Sequence, residues 1–268
     1  MEPFIQIHSS IVGLNAWHEV DPNLVVGFTT RHGGVSKSPY DSFNLGLHVN
    51  DNQQDVLANR NVLSQLLAYP LNNWVMAEQT HGTKIHLVTS ADRGSGALDV
   101  ATAIPNTDGL ITKEKNILLV AMFADCVPLY FWDTSTGWIG IAHAGWKGTV
   151  KQMAVNMIKK LKAHGANIDT LYVGIGPSIS QTNYEINNHV FNHIPIRFRE
   201  QVTKKVSDMN YLLNLSSLNY YMLIEHGIQP ENIYQSHLCT YSDPLFFSYR
   251  YEKGQTGRML GYIGKRCN

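Results

Sequence analysis

The 268-residue sequence has few cysteines, and it lacks long apolar runs, internal repeats and an excess of charge of either sign. Its three cysteines are widely spaced and odd in number. This pattern favours a reducing compartment over a disulfide framework, and Cys239 and Cys267 are predicted to be free thiols. No run approaches the roughly 20 apolar residues of a membrane helix. The start of the chain carries an early acid, Glu2, and lacks the basic and apolar regions of a signal peptide. We therefore expect a soluble, cytoplasmic protein without a membrane partner.

The balance of charges argues against a nucleic-acid partner. Lys plus Arg and Asp plus Glu number 21 each, whereas proteins that neutralise many phosphates carry a basic excess. No linker or low-complexity segment divides the chain, which predicts a single domain over residues 1–268. Strands and helices are mixed without a regular β-α-β alternation. The sequence therefore favours an α+β layered sandwich over a doubly wound parallel sheet.

Short apolar runs that end in one polar group are the main positive feature. Because hydrophobic runs bounded by turn residues tend to be buried strands, these groups are expected where a rigid sheet meets a loop. Two imidazoles and a thiolate form a donor set with which zinc keeps its fourth position open. Three runs deliver such a ligand: residues 74–77 lead to His81, residues 117–124 to Cys126 and residues 138–142 to His143.

The same residues leave other interpretations open. No Cys-x-x-Cys or His-Glu-x-x-His motif specifies a metal. Without a metal, His143 would lower the pKa of the Cys126 thiol, and the thiolate would attack an acyl or amide carbon, as in a Cys-His amidase or hydrolase. Buried cysteines and histidines also occur as packing residues without chemistry. Spacing alone does not separate the metal site from the amidase.

Three cations lie in glycine-rich or aromatic surroundings, and these are Arg31, Lys147 and Arg250. Such surroundings suit the binding of a phosphate or carboxylate, because Arg forms paired hydrogen bonds with these anions. A solvated surface charge is the alternative for each of them.

Other polar residues are candidates for proton transfer or for hydrogen bonds to a ligand. The candidate acids and bases are Asp108, Asp125 and Glu185. Asp125 directly precedes the cysteine, where a carboxylate could orient an imidazole or a substrate hydroxyl. A turn cap is the alternative for Asp125. Asn44 and Gln79 offer amides to a ligand, although Asn-x-Gly is also common in turns.

Helices are predicted where apolar residues recur every three or four positions. One covers residues 53–68, with Asp51 or Asn52 as its N-cap. Another begins at Thr149, where Gln152 completes a capping box, and ends at Gly165. A further helix is expected over residues 198–206.

Several motifs follow one another in a fixed order between residues 28 and 258: Thr30-Arg31-His32-Gly33-Gly34-Val35-Ser36, Asn44-Leu45-Gly46, Gln79-Thr80-His81-Gly82, Asp108-Gly109, Ala124-Asp125-Cys126-Val127-Pro128, His143-Ala144-Gly145-Trp146-Lys147-Gly148, Gly176-Pro177-Ser178-Ile179 and Tyr184-Glu185. Together they resemble the motifs of the YfiH-type laccase-domain family, which is also called polyphenol oxidase and purine nucleoside phosphorylase. No motif covers residues 195–210.

The resemblance implies a fold, a metal and a reaction. The fold is a single α-β-β-α layered domain with mixed sheets, similar to the catalytic domain of cytotoxic necrotizing factor toxins. The metal is one zinc ion per chain, bound at His81, Cys126 and His143. The reaction is phosphorolysis of adenosine, inosine, guanosine and methylthioadenosine, which yields the purine base and ribose 1-phosphate or methylthioribose 1-phosphate. Adenosine deamination is implied as a second activity, and we expect a monomer or a homodimer.

An older name of the family implies a copper-dependent polyphenol oxidase, or laccase, as an alternative. Laccase chemistry uses several copper ions and many His ligands, whereas this cluster offers three ligands to one metal. Zinc is therefore favoured over copper.

Phosphorolysis requires a bound phosphate beside the ribose, stabilisation of an oxocarbenium-like centre and a polarised leaving group. Arg31 and Lys147 are predicted to bind the phosphate. A carboxylate, Asp125 or Glu185, is predicted to move the proton. Asn44, Gln79 and Arg250 are the predicted contacts to the nucleoside, which completes the candidate site.

Overall fold

The computed structural model describes residues 2–267 and arranges them in two six-stranded sheets, one three-stranded sheet and seven α-helices. In spatial order, the first sheet contains β1 (Phe4–His8), β2 (Ile11–Leu14), β3 (Leu24–Thr29), β15 (Met259–Lys265), β7 (Leu118–Phe123) and β4 (Trp74–Met76). The second contains β14 (Ile233–Gln235), β10 (Leu171–Ile175), β8 (Val127–Asp133), β9 (Ile139–Ala144), β6 (Gly109–Thr112) and β5 (Ile85–Leu87). The third contains β11 (Glu185–Asn187), β13 (Asn210–Leu213) and β12 (Thr203–Lys205).

Most of the helices are short. They are α1 (Asn15–Val20), α2 (Gln53–Leu66), α3 (Trp146–Val150), α4 (Met153–Ala163), α5 (Asn188–His193), α6 (Ile196–Val202) and α7 (Leu215–Glu225). Both large sheets are mixed: β4 pairs with β7, β5 with β6 and β10 with β14 in parallel, and the other pairs are antiparallel. None of the helices within residues 2–267 is long and apolar enough to span a bilayer.

The two large sheets pack face to face over a shared apolar layer. Phe28 and Phe123 of the first sheet and Tyr130 and Ile141 of the second belong to one buried cluster. The hydroxyl of Tyr130 crosses this layer and donates a hydrogen bond of 3.0 Å to the carbonyl oxygen of Gly27 in β3. One side chain therefore links the two sheets directly.

Helices cover the outer faces of both sheets. Leu63 of α2 packs in a cluster with Leu118 and Val120 of the first sheet, and Met157 of α4 packs in another with Leu129 of the second sheet. Helix α7 adds Leu218 and Met222 to that second cluster. The layers follow the order α-β-β-α, so the predicted α+β sandwich is confirmed.

The central strands explain why the sequence around the site reads as continuous apolar runs. All residues of β8 and β9 are buried, because one side of the second sheet faces the first sheet and the other faces helices. Side chains alternate across a strand, so His143 shares the inner face with Ile139 and Ile141. The apolar run over residues 138–142 leads to His143 as predicted, and β9 continues one residue further to Ala144, with His143 paired to Pro128 of β8.

Two helix boundaries also differ from those predicted. Helix α3 begins at Trp146 with Gly145 as its N-cap, and Gln152 adopts a left-handed φ of 66° that separates α3 from α4. The capping box from Thr149 is therefore wrong. The second half of the predicted helix over residues 198–206 is also wrong: α6 ends at Val202, and Thr203–Lys205 pairs with β13. For α2, the side chain of Asn52 is the N-cap, as predicted.

Candidate metal centre and its pocket

His143 is held at the end of the inner layer by the carboxylate of Asp108. The Nδ1 atom of His143 lies 2.8 Å from Oδ1 of Asp108, and the backbone N–H of His143 donates to the carbonyl oxygen of Asp108, also at 2.8 Å. Asp108 directly precedes β6, which pairs with β9. Because Nδ1 is engaged, Nε2 of His143 is the ring nitrogen that is free for a metal.

The same carboxylate organises the loop that carries His81. Asp108 accepts hydrogen bonds from the backbone N–H groups of Thr80, His81 and Gly82, at 3.1, 3.0 and 2.7 Å. His81 itself adopts a left-handed φ of 58°, which turns the loop toward the second sheet. One buried acid therefore fixes the relative positions of the two imidazoles.

Cys126 is positioned by a turn at Asp125, whose φ is 88°. The two carboxylate oxygens of Asp125 accept hydrogen bonds from the hydroxyl of Thr240 at 2.8 Å and from the backbone N–H of Arg250 at 2.7 Å. Cys126 then leads directly into β8. Asp125 thus anchors the turn against the C-terminal part of the chain, and the carboxylate that orients an imidazole is Asp108.

The three predicted ligands converge on one point. One ligand atom each from His81, Cys126 and His143 lie within 4.8 Å of one another, the only such group of three or more in residues 2–267. A tetrahedral zinc ion with bonds of about 2.0–2.3 Å places its donor atoms roughly 3.5 Å apart. Gly145 provides room for them, because a β-carbon there would lie 3.0 Å from both Cys126 Sγ and His81 Cδ2. The arrangement fits a zinc ion with an open fourth position.

Electrostatics at the centre favour a thiolate beside an imidazolium. Burial alone would raise the pKa of Cys126, but the positive charges and hydrogen bonds of His143 and His81 lower it to about 6. Burial would lower the pKa of His143, but the Cys126 thiolate and Asp108 raise it to about 9. A thiolate is the form of cysteine that binds a metal. The same pair of charges is what a metal-free Cys-His nucleophile would need.

The centre lies on the wall of a pocket of about 720 Å³. Of the predicted site residues, those that line it are Gln79, His81, Asp125, Cys126, His143 and Arg250. Both ends of the Gln79 amide bond the backbone of Met122, at 2.7 and 2.8 Å. Arg250 lies over the ring of Tyr184 at 5.2 Å and donates to the carbonyl oxygen of Glu185 at 3.0 Å. Both side chains are thus held in place at the pocket wall.

The two predicted phosphate-binding cations do not line this pocket. Arg31 donates to Glu252 at 3.0 Å and to the carbonyl oxygen of Asp41 at 3.0 Å, and it lies over the ring of Phe247 at 4.5 Å. Lys147 is exposed on α3. Its Nζ lies 5.9 Å from the ring centroid of Trp146, which does line the pocket.

Asn44 and Glu185 also lie outside the pocket lining. Glu185 is exposed in β11. Asn44 is fully buried, and its side-chain oxygen accepts hydrogen bonds from the backbone N–H groups of Gly46 at 3.0 Å and of Arg258 at 2.9 Å. The Asn-Leu-Gly motif therefore joins two segments of backbone.

Sequence reasoning missed several residues of the pocket wall: His48, Arg60, Trp146, Tyr184, Tyr249 and Arg258. Trp146 and Tyr184 stand in two of the ordered motifs. Arg60 also carries a signal, because it follows Val56 by four positions and precedes Leu63 by three, on the buried face of α2. Arg258 and His48 carry no comparable signal, since they stand in irregular segments that come together only in the fold.

Comparisons with known proteins agree with this fold. Residues 25–266 match the family model described as multi-copper polyphenol oxidoreductase laccase. The chain is 40% identical over 272 residues to purine nucleoside phosphorylase YlmD of Bacillus subtilis (strain 168), with 98% of each chain covered. It is 44% identical over 253 residues to purine nucleoside phosphorylase YlmD of Geobacillus stearothermophilus, with 90% of each chain covered.

A solved structure matches as well. The crystal structure of YfiH from Bacillus licheniformis superposes with a TM-score of 0.95 at 38% identity, and the match covers 99% of this chain and 100% of that one. The resemblance inferred from the ordered motifs is therefore confirmed. The chain belongs to the laccase-domain family that includes the YfiH and YlmD proteins.

Proposed function

We propose that the chain is a zinc-dependent purine nucleoside phosphorylase. The observation that carries the proposal is the convergence of His81, Cys126 and His143 on the wall of a pocket of about 720 Å³. Relatives that are 40% and 44% identical over most of the chain bear the name purine nucleoside phosphorylase, which supports the reaction class. The proposed substrates are adenosine, inosine, guanosine and methylthioadenosine, each together with phosphate.

The reaction replaces one bond at the ribose by another. An oxygen of hydrogen phosphate bonds to C1′ while the bond from C1′ to the purine nitrogen breaks. The electron pair leaves with the purine, which takes up the proton that hydrogen phosphate loses. The products are the free base and ribose 1-phosphate. Because C1′ has oxocarbenium character in the transition state, the site must hold an anion on one side of the sugar and the departing base on the other.

The residues of the centre hold the proposed metal and leave access to it. Asp108 fixes the ring of His143 so that Nε2 remains available, and such carboxylate partners also raise the basicity of a ligating imidazole. Gly145 keeps the space beside Cys126 and His81 open. When bound, the zinc ion supplies Lewis acidity toward an oxygen or nitrogen atom of the substrate.

The aromatic part of the pocket suits a purine. Trp146, Tyr184 and Tyr249 line it, and flat aromatic faces stack favourably on nucleobases. Arg250, held over the ring of Tyr184 at 5.2 Å, and Gln79 are the proposed polar contacts. Neither side chain uses all of its donor hydrogens in bonds to residues 2–267.

Adenosine deamination is proposed as a second activity of the same pocket. Water replaces the 6-amino group, so the products are inosine and ammonia.

The three cysteines of the chain are free, which supports the proposed cytoplasmic location.

The test compares two cysteine variants on the same nucleoside panel. Cys126→Ala removes the thiolate, and Cys267→Ala is the matched control at an exposed cysteine far from the pocket. We expect about one zinc ion per chain in the wild type and phosphate-dependent release of base. In Cys126→Ala, zinc content should collapse and turnover should fall at least about 100-fold. Cys267→Ala should match the wild type in both measurements.

Other outcomes identify other functions. Unchanged zinc content and unchanged turnover in Cys126→Ala would rule out the proposed centre. Several coppers per chain with oxidation of phenols would favour the polyphenol oxidase, and a metal-free protein that cleaves amides would favour the Cys-His hydrolase.

A further inference from the structure

Arg60 is a buried cation without an acidic partner. Its side chain is 1% exposed, and it donates to the carbonyl oxygens of Leu45, Gly96 and Ala97 at 2.9, 2.8 and 2.7 Å. These bonds use Nε and Nη1, and Nη2 makes no hydrogen bond to residues 2–267. No carboxylate forms an ion pair with Arg60 in that range. A buried charge is costly when no opposite charge compensates it.

Arg258 is a second cation, half-buried and located directly before β15. Its Nη1 donates to the carbonyl oxygens of Thr256 and Gly257 at 2.8 and 3.0 Å. Its guanidinium lies 5.7 Å from the ring centroid of Tyr249. No carboxylate pairs with it in the described part of the chain, and Nε and Nη2 are left free. Both arginines line the pocket that contains the metal centre.

A short loop brings these two arginines and His48 together. The backbone of Leu45 bonds both arginines: its carbonyl oxygen accepts from Arg60 and its N–H donates to the carbonyl oxygen of Arg258 at 3.1 Å. His48 and Arg258 both pack against Gly46, where a β-carbon would lie 3.2 Å from His48 Cε1 and 2.8 Å from Arg258 Cγ. The loop over residues 44–48 thus places three nitrogen-rich side chains at one end of the pocket.

Burial of positive charge dominates the electrostatics of this end of the pocket: desolvation lowers the pKa of Arg258, and the negative charges of Tyr249, Cys126 and Asp125 only partly oppose it. Burial lowers the pKa of Arg60 to about 9. Desolvation and then the positive charges of Arg258 and Arg60 lower the pKa of His48 to about 4. Two acids also line the pocket: Asp125 accepts from the hydroxyl of Thr240 and the backbone N–H of Arg250, and Glu78 accepts from the backbone N–H of Asn106. Neither acid pairs with the arginines.

We propose that His48, Arg60 and Arg258 form an anion subsite, and that this subsite, rather than Arg31 and Lys147, binds the phosphate of the reaction. The inference rests on the proposed phosphorolysis for the identity of the anion. A phosphate supplies both the missing negative charge and acceptor oxygens for the free guanidinium N–H groups, and Arg binds phosphate through such paired hydrogen bonds. Neutral His48 adds a single donor. Asn44, which bonds the backbone of Arg258, is a positioning residue of this subsite.

The test separates phosphate binding from nucleoside binding. In Arg258→Gln, the loss of a charge-assisted contact should raise the KM for phosphate about 10- to 100-fold. The KM for the nucleoside should change less than about threefold. The matched control is Arg93→Gln, the same change at an exposed arginine outside the pocket, and both constants should stay at wild-type values there. An unchanged KM for phosphate in Arg258→Gln would overturn the inference.

Two further measurements keep the test decisive if Arg258→Gln folds poorly or the reaction differs. His48→Gln changes a second residue of the subsite, and it should raise the KM for phosphate by a smaller factor. Calorimetric titration of the zinc-loaded wild type and of Arg258→Lys with inorganic phosphate needs no turnover. Weaker binding to Arg258→Lys supports the subsite even if nucleosides are not cleaved. A lack of nucleoside cleavage would then reject the proposed function but not the subsite. Equal binding, or no binding to either protein, would reject the subsite.

Discussion

The carboxylate of Asp108 connects the two imidazoles of the candidate centre. One of its oxygens bonds Nδ1 of His143, and the carboxylate also accepts from three consecutive backbone N–H groups beginning at Thr80. Burial would raise the pKa of Asp108, but its hydrogen bonds with His143, Gly82 and Thr80 lower it. An ionised acid is therefore maintained in a nearly closed environment.

Replacing Asp108 by Asn should weaken the metal site without removing a ligand. The amide loses the charge that orients His143, and loss of such a partner typically costs about 10- to 100-fold in metal affinity. Competition with a chromophoric chelator measures this affinity. Asp208→Asn, the same change at an exposed carboxylate, should leave it unchanged. Equal zinc affinity in the two variants would contradict the role given to Asp108.

Single residues were predictable where they follow a strong local pattern. Cys126 and His143 stand at or near the ends of apolar runs, so their placement beside a sheet followed from the sequence. Asp108 was recognised as a candidate acid, but its partners come from two separate segments and no local pattern connects them. Arg31 resembles a ligand-binding arginine in its glycine-rich surroundings, yet Glu252 on a distant segment neutralises it.

At the scale of elements, the hairpin of β8 and β9 positions two of the three candidate metal ligands. Cys126 precedes β8 and His143 lies within β9, and the pairing of Pro128 with His143 sets their register. The other end of the hairpin is held by Asp133. Its carboxylate accepts from the hydroxyls of Thr136 and Thr170 and from the backbone N–H of Asn167.

The hydrogen bonds of Asp133 should make stability depend on pH. Burial would raise its pKa, but the bonds from Thr136, Thr170 and Asn167 lower it below 3.8. Because the folded pKa is depressed, the contribution is present above the unfolded pKa and is lost as the pH falls through the folded value. Asp133→Asn should therefore lower the free energy of unfolding at pH 7 by on the order of 2 kcal/mol. The difference from wild type should shrink toward pH 3.

Urea unfolding of both proteins at several pH values measures this difference. Asp208→Asn again serves as the control, since its carboxylate is 97% exposed. A difference between Asp133→Asn and wild type that stays constant from pH 7 to pH 3 would contradict the assignment.

The boundaries of elements were harder to predict than their existence. Alternation of side chains across β9 continues through His143, so a polar residue on the inner face did not end the strand. Helix α3 begins at Trp146, before the predicted start at Thr149. The left-handed conformation of Gln152 then separates α3 from α4. Backbone conformations of this kind depend on tertiary contacts and leave little trace in local periodicity.

At the scale of the whole molecule, mixed strand and helix patterns without a β-α-β rhythm were sufficient to predict the layered α+β architecture. The pairing order of the strands was not predictable, because β15 from the end of the chain inserts between β3 and β7. The pocket illustrates the same limit: it joins residues from His48 to Arg258, which only the complete fold brings together.

We propose that residues 1–268 form one cooperative unit. The described parts of both large sheets share a buried cluster, and helices cover the outer face of each. Differential scanning calorimetry of the metal-loaded protein should show a single transition, with equal calorimetric and van't Hoff enthalpies. Two resolved transitions would show that the sheets unfold independently.

The hydrogen bond from Tyr130 to Gly27 spans the apolar layer between the two large sheets, and the spacing of these sheets has a consequence for the pocket. His143 belongs to the second sheet and Cys126 directly precedes its strand β8, whereas Arg258 directly precedes β15 of the first sheet. The distance between the two sheets therefore contributes to the distance between the metal donors and Arg258. We expect a ligand that contacts both ends of the pocket to bridge the two sheets and so to stabilise the folded sandwich against unfolding.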